Sequence, residues 1–251
     1  MTIDETTPGD NGRNSKASRR TTDRSTAAAP ARALVDKLLA GEPYALAFGG
    51  QGAPWLTSLE ELSRDNGLEP VLTDLVNRAA AHLAPVASDL VVVRPTGFDP
   101  VAWILEAELA DEDDAPAGPS ESALTSAAVS LPGVFLTQVA ALRALANQGL
   151  DVDSVAPSAV IGHSQGVLAV ESVAAAGRKD TEILAIAQLI GAAATLVGRR
   201  RGLISGAGKY PMLAVANVDP ERLRAIVADI FEGQDAERGA VVAIRNARRR
   251  V

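Results

Sequence analysis

Along most of this chain the apolar side chains return every three or four residues, and in a few short places they crowd together instead. Leu34, Leu38 and Leu39 repeat at helical spacing before Gly41 and Pro43 close the turn; the same period runs through 56–66, 70–83 and, for a turn or two, 98–109. Val134, Leu136, Val139, Leu142 and Leu145 predict a long helix over 123–149, with Gly149 as its stop. Residues 165–176, ended by Gly177, and 181–201 read as two more helices. The crowded places, 44–48 and 158–162, read as short buried strands, each running through a glycine turn into helical text. Strands separated by helices argue for α/β architecture with a parallel sheet.

The ends of the chain break this rhythm. Residues 1–30 carry Thr, Ser, Asp, Arg and Gly with almost no large apolar side chain, which predicts a disordered tail, with order beginning near Ala31. Residues 111–122, "DEDDAPAGPSES", read as an acidic surface linker. After the glycine-rich stretch 202–209 the text becomes strand 212–218, helix 220–231 and strand 240–245, the start of a small β-α-β unit. Three regions follow: the tail 1–30, a large subdomain 31–209, and the beginning of a smaller one at 210–251. The chain stops at Val251 straight after a strand, as though within a domain.

Composition narrows the chemistry. A hydrophobic fraction of 47% with 22% charged residues is that of a globular protein, and aromatic residues at only 3% leave small aliphatic groups to build the interior. A net charge of −7 disfavours nucleic acid as a partner, because phosphate neutralisation needs a basic surface. Cysteine is absent, which removes thiol nucleophiles, disulfides and thiolate metal sites, and no metal site is expected. The uncharged apolar run 185–198 is shorter than a membrane span, and the N-terminus has no apolar leader, so the expectation is a cytoplasmic protein without a membrane partner.

One motif carries chemistry. Gly162-His163-Ser164-Gln165-Gly166 satisfies G-x-S-x-G between a β-branched strand and a helix, the setting in which such a serine is lifted off the sheet as a nucleophile. Side chains at the two glycines would collide in so tight a turn, and the free N–H groups of the following helix suit an oxyanion. The competing reading is an ordinary strand-to-helix turn. The chain has two histidines. His163 adjoins Ser164, but neighbours at a strand end point to opposite sides, so it reads as structural; His82 lies on a helix face with nothing site-like around it. The base for Ser164 is therefore expected elsewhere.

The phrase "FGGQG" ahead of "GHSQG", together with "LVDKLLAGEPYALAFGGQGAPWL" and "LAIAQLIGAAATLVGRRRG", resembles the acyl-CoA:acyl-carrier-protein acyltransferase family of fatty acid and polyketide synthases. Within it, these phrases look like the acetyltransferase domain at the N-terminus of actinobacterial type I fatty acid synthases, over about 33–251. The resemblance implies an α/β-hydrolase-like acyltransferase core plus the first part of an inserted ferredoxin-like small subdomain. It also implies a catalytic histidine in a later G-F-H segment beyond Val251, which would leave the chain inactive alone. Ser164 would take an acyl group from acyl-CoA and pass it to the 4′-phosphopantetheine thiol of an acyl carrier protein domain, with no tightly bound cofactor. The backbone N–H groups of Gln51 and Gln165 would hold the oxyanion, with Gly50 and Gly52 allowing close approach; a plain glycine-rich connection is the alternative for that loop.

Malonyl-selective relatives place an arginine on the helix after the elbow. Here the matching stretch is "QLIG", and Ile190 would wall the acyl pocket with hydrocarbon, which points to a neutral short acyl group such as acetyl. Asn246 would face the cleft, or else sit at a turn or strand end. The arginine runs 199–201 and 248–250 read as solvated faces, with CoA phosphates or the carrier as the other possibility. The resemblance implies other synthase domains as partners and a homo-oligomer, a hexamer. Two readings compete with it: a serine esterase or thioesterase of similar fold, and a scaffold segment in which Ser164 is silent.

Overall fold

The computed structural model describes residues 24–50, 54–94, 96–109, 118–200, 218–230 and 232. Its elements in chain order are α1 (Arg24–Leu39), β1 (Ala45–Phe48), α2 (Trp55–Asn66), α3 (Glu69–Leu83), a 3-10 turn (Ala84–Val86), α4 (Ala87–Val91) and α5 (Pro100–Leu109). Then come α6 (Glu121–Thr125), α7 (Ala127–Asn147), β2 (Ala159–Gly162), a second 3-10 turn (Ser164–Gly166), α8 (Val167–Ala174), α9 (Asp180–Arg200) and α10 (Pro220–Ile230). The described structure is mostly helical around a small parallel sheet, consistent with an α/β fold.

The two strands pair in parallel, Ala45 opposite Ala159 through Phe48 opposite Gly162. Single bonds extend the ladder at either end, Ser158 N–H to Tyr44 O at 2.8 Å and His163 N–H to Phe48 O at 2.9 Å. Parallel neighbours require a crossover, and here it is the helical run from α2 to α7. The Tyr44 hydroxyl, donating to Val155 O, fastens the approach to β2 onto the start of β1. Burial, and secondly the charge of Asp151, raise its phenol above the usual value.

α7 is the centre of the packing: α9 and α2 lie against it, and α3 lies against α9. Phe135, Leu136, Val139, Leu59, Leu72 and Leu184 are fully buried in the core they form. Small residues make the close approaches possible. A Cβ on Gly191 of α9 would stand 2.2 Å from Ala127 O, and one on Gly133 of α7 would stand 2.6 Å from the Trp55 ring. α9 also completes the start of α7, where the Thr195 hydroxyl accepts the Ala128 N–H at 2.9 Å in a fully buried setting. At the other end Asp180 accepts from the Ser172 hydroxyl at 2.6 Å and pairs with Arg143 at 3.1 Å, tying the α8–α9 turn to α7.

Several expectations change. α1 begins at Arg24, upstream of the onset read at Ala31, because the alanines of 27–33 are strong helix formers; the tail reading of 24–30 is corrected, and 1–23 lie outside the described residues. The linker ends at Ser120, which caps a separate short helix, so the long helix expected from Ala123 starts only at Ala127, after an extended Ser126. The longest uncharged stretch is 122–142 rather than 185–198. α7 and α9, at 21 residues each, are long and apolar enough to cross a membrane by length and composition; 61% and 56% of their apolar windows are buried inside the protein, as in core helices. Of the strand read at 212–218 only Val218 is described, as a bend, and the strand read at 240–245 lies outside the described residues, while α10 forms where a helix was read at 220–231.

Candidate active site

The site is built where β2 gives way to α8. His163 keeps extended backbone (φ −106°, ψ 129°), and Ser164 then turns into the left-handed region with φ 55°. A residue with a Cβ pays roughly 1–2 kcal/mol for that conformation, so the surrounding backbone must enforce it. The enforcement comes from two glycines. A Cβ on Gly162 would lie 2.6 Å from Gly166 O, and one on Gly166 would lie 2.2 Å from Phe48 O and 2.9 Å from Gly49 O. The turn is thus folded back on itself and pressed against the end of β1, and Ser164 is left exposed at its tip.

The loop after β1 meets it there. A Cβ on Gly50 would stand 2.9 Å from Ser164 Cβ and 3.3 Å from its Oγ, so glycine backbone passes directly over the hydroxyl. Gln138 of α7 donates from Nε2 to Gly49 O at 2.7 Å. Thr137, its neighbour, donates to Trp55 O at 3.1 Å and to Gly133 O at 2.9 Å. Gln165 is half-buried, and its Oε1 has no partner among the described residues. Among those residues the Ser164 hydroxyl and the His163 ring likewise show no hydrogen bond, and no group of His, Asp and Glu could hold a metal.

The structure therefore brings together Ser164, Gly162, His163, Gln165, Gly166 and Gly50. Gln51, Gly52 and Asn246 lie outside the described residues. His82 is exposed in the last turn of α3, in a groove with Arg78, Arg178, Thr181 and Glu182. Ile190 is 49% exposed on α9, so the described residues do not enclose it as a pocket wall. The buried polar residue of that stretch is Gln188, whose Oε1 accepts from Arg94 at 2.7 Å. Arg94 is buried, with its guanidinium 5.7 Å from the Phe98 ring centroid, and burial pushes its pKa down to about 10.

Sequence reasoning missed Gln138 and Arg94. The signal for Gln138 was a lone amide in an otherwise apolar helical stretch; for Arg94, a charge at the end of the apolar run 90–93.

Fold and site together define an α/β arrangement with an exposed serine on a strained strand-to-helix turn, covered by a glycine loop. The family model described as fatty acid synthase central AT domain matches residues 211–251. That stretch of the chain is similar to part of a fatty acid synthase acyltransferase domain. The match does not include Ser164. No curated protein matches the chain.

Proposed function

We propose that Ser164 is the acyl-carrying nucleophile of a fatty acid synthase acetyltransferase. The observation that carries this is the left-handed serine with the Gly50 backbone beside its hydroxyl. The Ser164 Oγ attacks the thioester carbonyl of acetyl-CoA, its proton passes to a base, and the C–S bond breaks to release CoA as the protonated thiol. The phosphopantetheine thiol of a carrier domain then attacks the serine ester, the C–O bond breaks, and the proton returns to Ser164. The N–H of Gln165, at the start of the helical turn, and that of Gln51 stabilise both tetrahedral oxyanions. In this reading neither His163, which precedes Ser164 in extended backbone, nor His82, at the end of α3, supplies the base.

The substrate is a neutral short acyl group. α9 offers no arginine over 188–191, and Arg94, the buried cation among the described residues, already donates from one terminal guanidinium nitrogen to Gln188. A malonyl carboxylate left unpaired in a buried pocket costs several kcal/mol. In this reading 31–209 form an α/β-hydrolase-like large subdomain and 210–251 open a ferredoxin-like small one.

Incubation with acetyl-CoA or malonyl-CoA, with imidazole added as an external base and a carrier domain as acceptor, tests the assignment. Acetyl transfer to the carrier is expected. Faster transfer of malonyl would reject the substrate class, and rapid hydrolysis of acetyl-CoA without a carrier would favour a hydrolase.

A further inference from the structure

The segment between β1 and α2 is held at both ends by two consecutive residues of one helix. At its start, Gly49 O accepts from Gln138 Nε2 at 2.7 Å; at its end, Trp55 O accepts from Thr137 Oγ1 at 3.1 Å. The ring of Trp55 rests on Gly133 one turn earlier, where no Cβ would fit. Beside the first anchor, Phe48 O is held by the His163 N–H at 2.9 Å, and the next residue but one, Gly50, touches Ser164. The Gly49–Gly50 peptide is thereby oriented from one side by α7 and confined from the other by the serine turn. Gln138 makes no other hydrogen bond among the described residues, and its Oε1 is buried without a partner. A half-buried amide in an apolar helix, spending its one donor contact on a loop carbonyl, has no packing reason to be polar.

We infer that Gln138 is a positioning residue: by fixing the Gly49 carbonyl it sets how the Gly49–Gly50 backbone lies over the Ser164 hydroxyl. The inference rests on the acyl-enzyme reading only for its catalytic consequence; the clamp itself is a property of the fold. Displacement of such a loop by about 1 Å lowers reaction rate on the order of 100-fold without removing any reacting group.

Hydrogen exchange of the full chain tests the clamp directly. Gln138→Leu is expected to speed amide exchange in peptides covering 49–55 at least tenfold while leaving 159–174 unchanged; unchanged exchange in 49–55 overturns the inference. Acetyl labelling of Ser164 by acetyl-CoA, with imidazole present, tests the consequence: a fall of about 100-fold in the maximal rate with an unaltered half-saturating concentration is expected, and an unaltered maximal rate overturns it. If Gln138→Leu fails to fold, Gln138→Glu serves, since it keeps the shape and regains a donor on protonation. Its exchange and labelling, relative to wild type, should recover between pH 8 and about 4, and a flat ratio sinks the inference. Labelling absent from every form, with exchange in 49–55 still raised, would reject the nucleophile reading and leave the clamp.

Discussion

Ser164 holds a backbone conformation that costs a non-glycine residue roughly 1–2 kcal/mol, so removing its side chain should relieve strain rather than create it. Ser164→Gly is expected to raise stability by up to about 1 kcal/mol once the extra chain entropy of glycine is subtracted. Ser164→Ala keeps the Cβ and should leave stability near wild type. Urea midpoints measure both, and a drop with glycine would contradict a strained turn. Gly166→Ala should act the other way, since its Cβ would enter the space of Phe48 O at 2.2 Å; a loss above about 2 kcal/mol is expected. Arg94 offers a further residue-scale test. Its folded pKa is depressed to about 10 by burial, so the cost of its buried charge is carried in full below pH 10 and relieved only above it. Arg94→Met alone would orphan the buried Gln188 Oε1, so the double variant Arg94→Met/Gln188→Leu, which removes both partners and keeps the packing, should be within about 1 kcal/mol of wild type or more stable, with a difference flat from pH 5 to 9. A loss larger than that, or one that varies over this range, would show that the cation is stabilising.

At the scale of elements, the packing of α7, α9 and α2 depends on polar atoms at particular places as much as on apolar area. Thr195→Val keeps volume but strips Ala128 N–H of its acceptor in a buried position, and should cost about 1–3 kcal/mol in thermal or urea unfolding. A neutral outcome would mean that water reaches the start of α7. The helices themselves were legible in the sequence, because Val134 through Leu145 and Leu72 through Leu83 repeat at a helical period that one buried face dictates. What fastens them was not. Thr195, Gln138 and Gln188 act across 67, 89 and 94 residues of sequence, and a local pattern carries no information about such partners. The elbow was legible for the opposite reason: Gly162, Ser164 and Gly166 act on one another and on the strand end within a few residues. Boundaries failed where propensity competes with patterning, as at Arg24, where alanines extend α1 into text that looked like a tail.

For the molecule as a whole, the serine turn and the region matched to a fatty acid synthase acyltransferase domain occupy different parts of one chain, and an acyltransferase reading joins them. Parallel strands are normally covered on both faces, yet Ile161 of β2 is 61% exposed, so the described sheet has apolar surface to spare. The central claim is that the Ser164 hydroxyl carries the acyl group. Peptide mapping by mass spectrometry after incubation with acetyl-CoA and imidazole tests it most directly. The account predicts one acetyl group on the peptide containing Ser164 and none in Ser164→Ala; an acetyl group elsewhere with Ser164 unmodified, or equal labelling of the alanine variant, would contradict it.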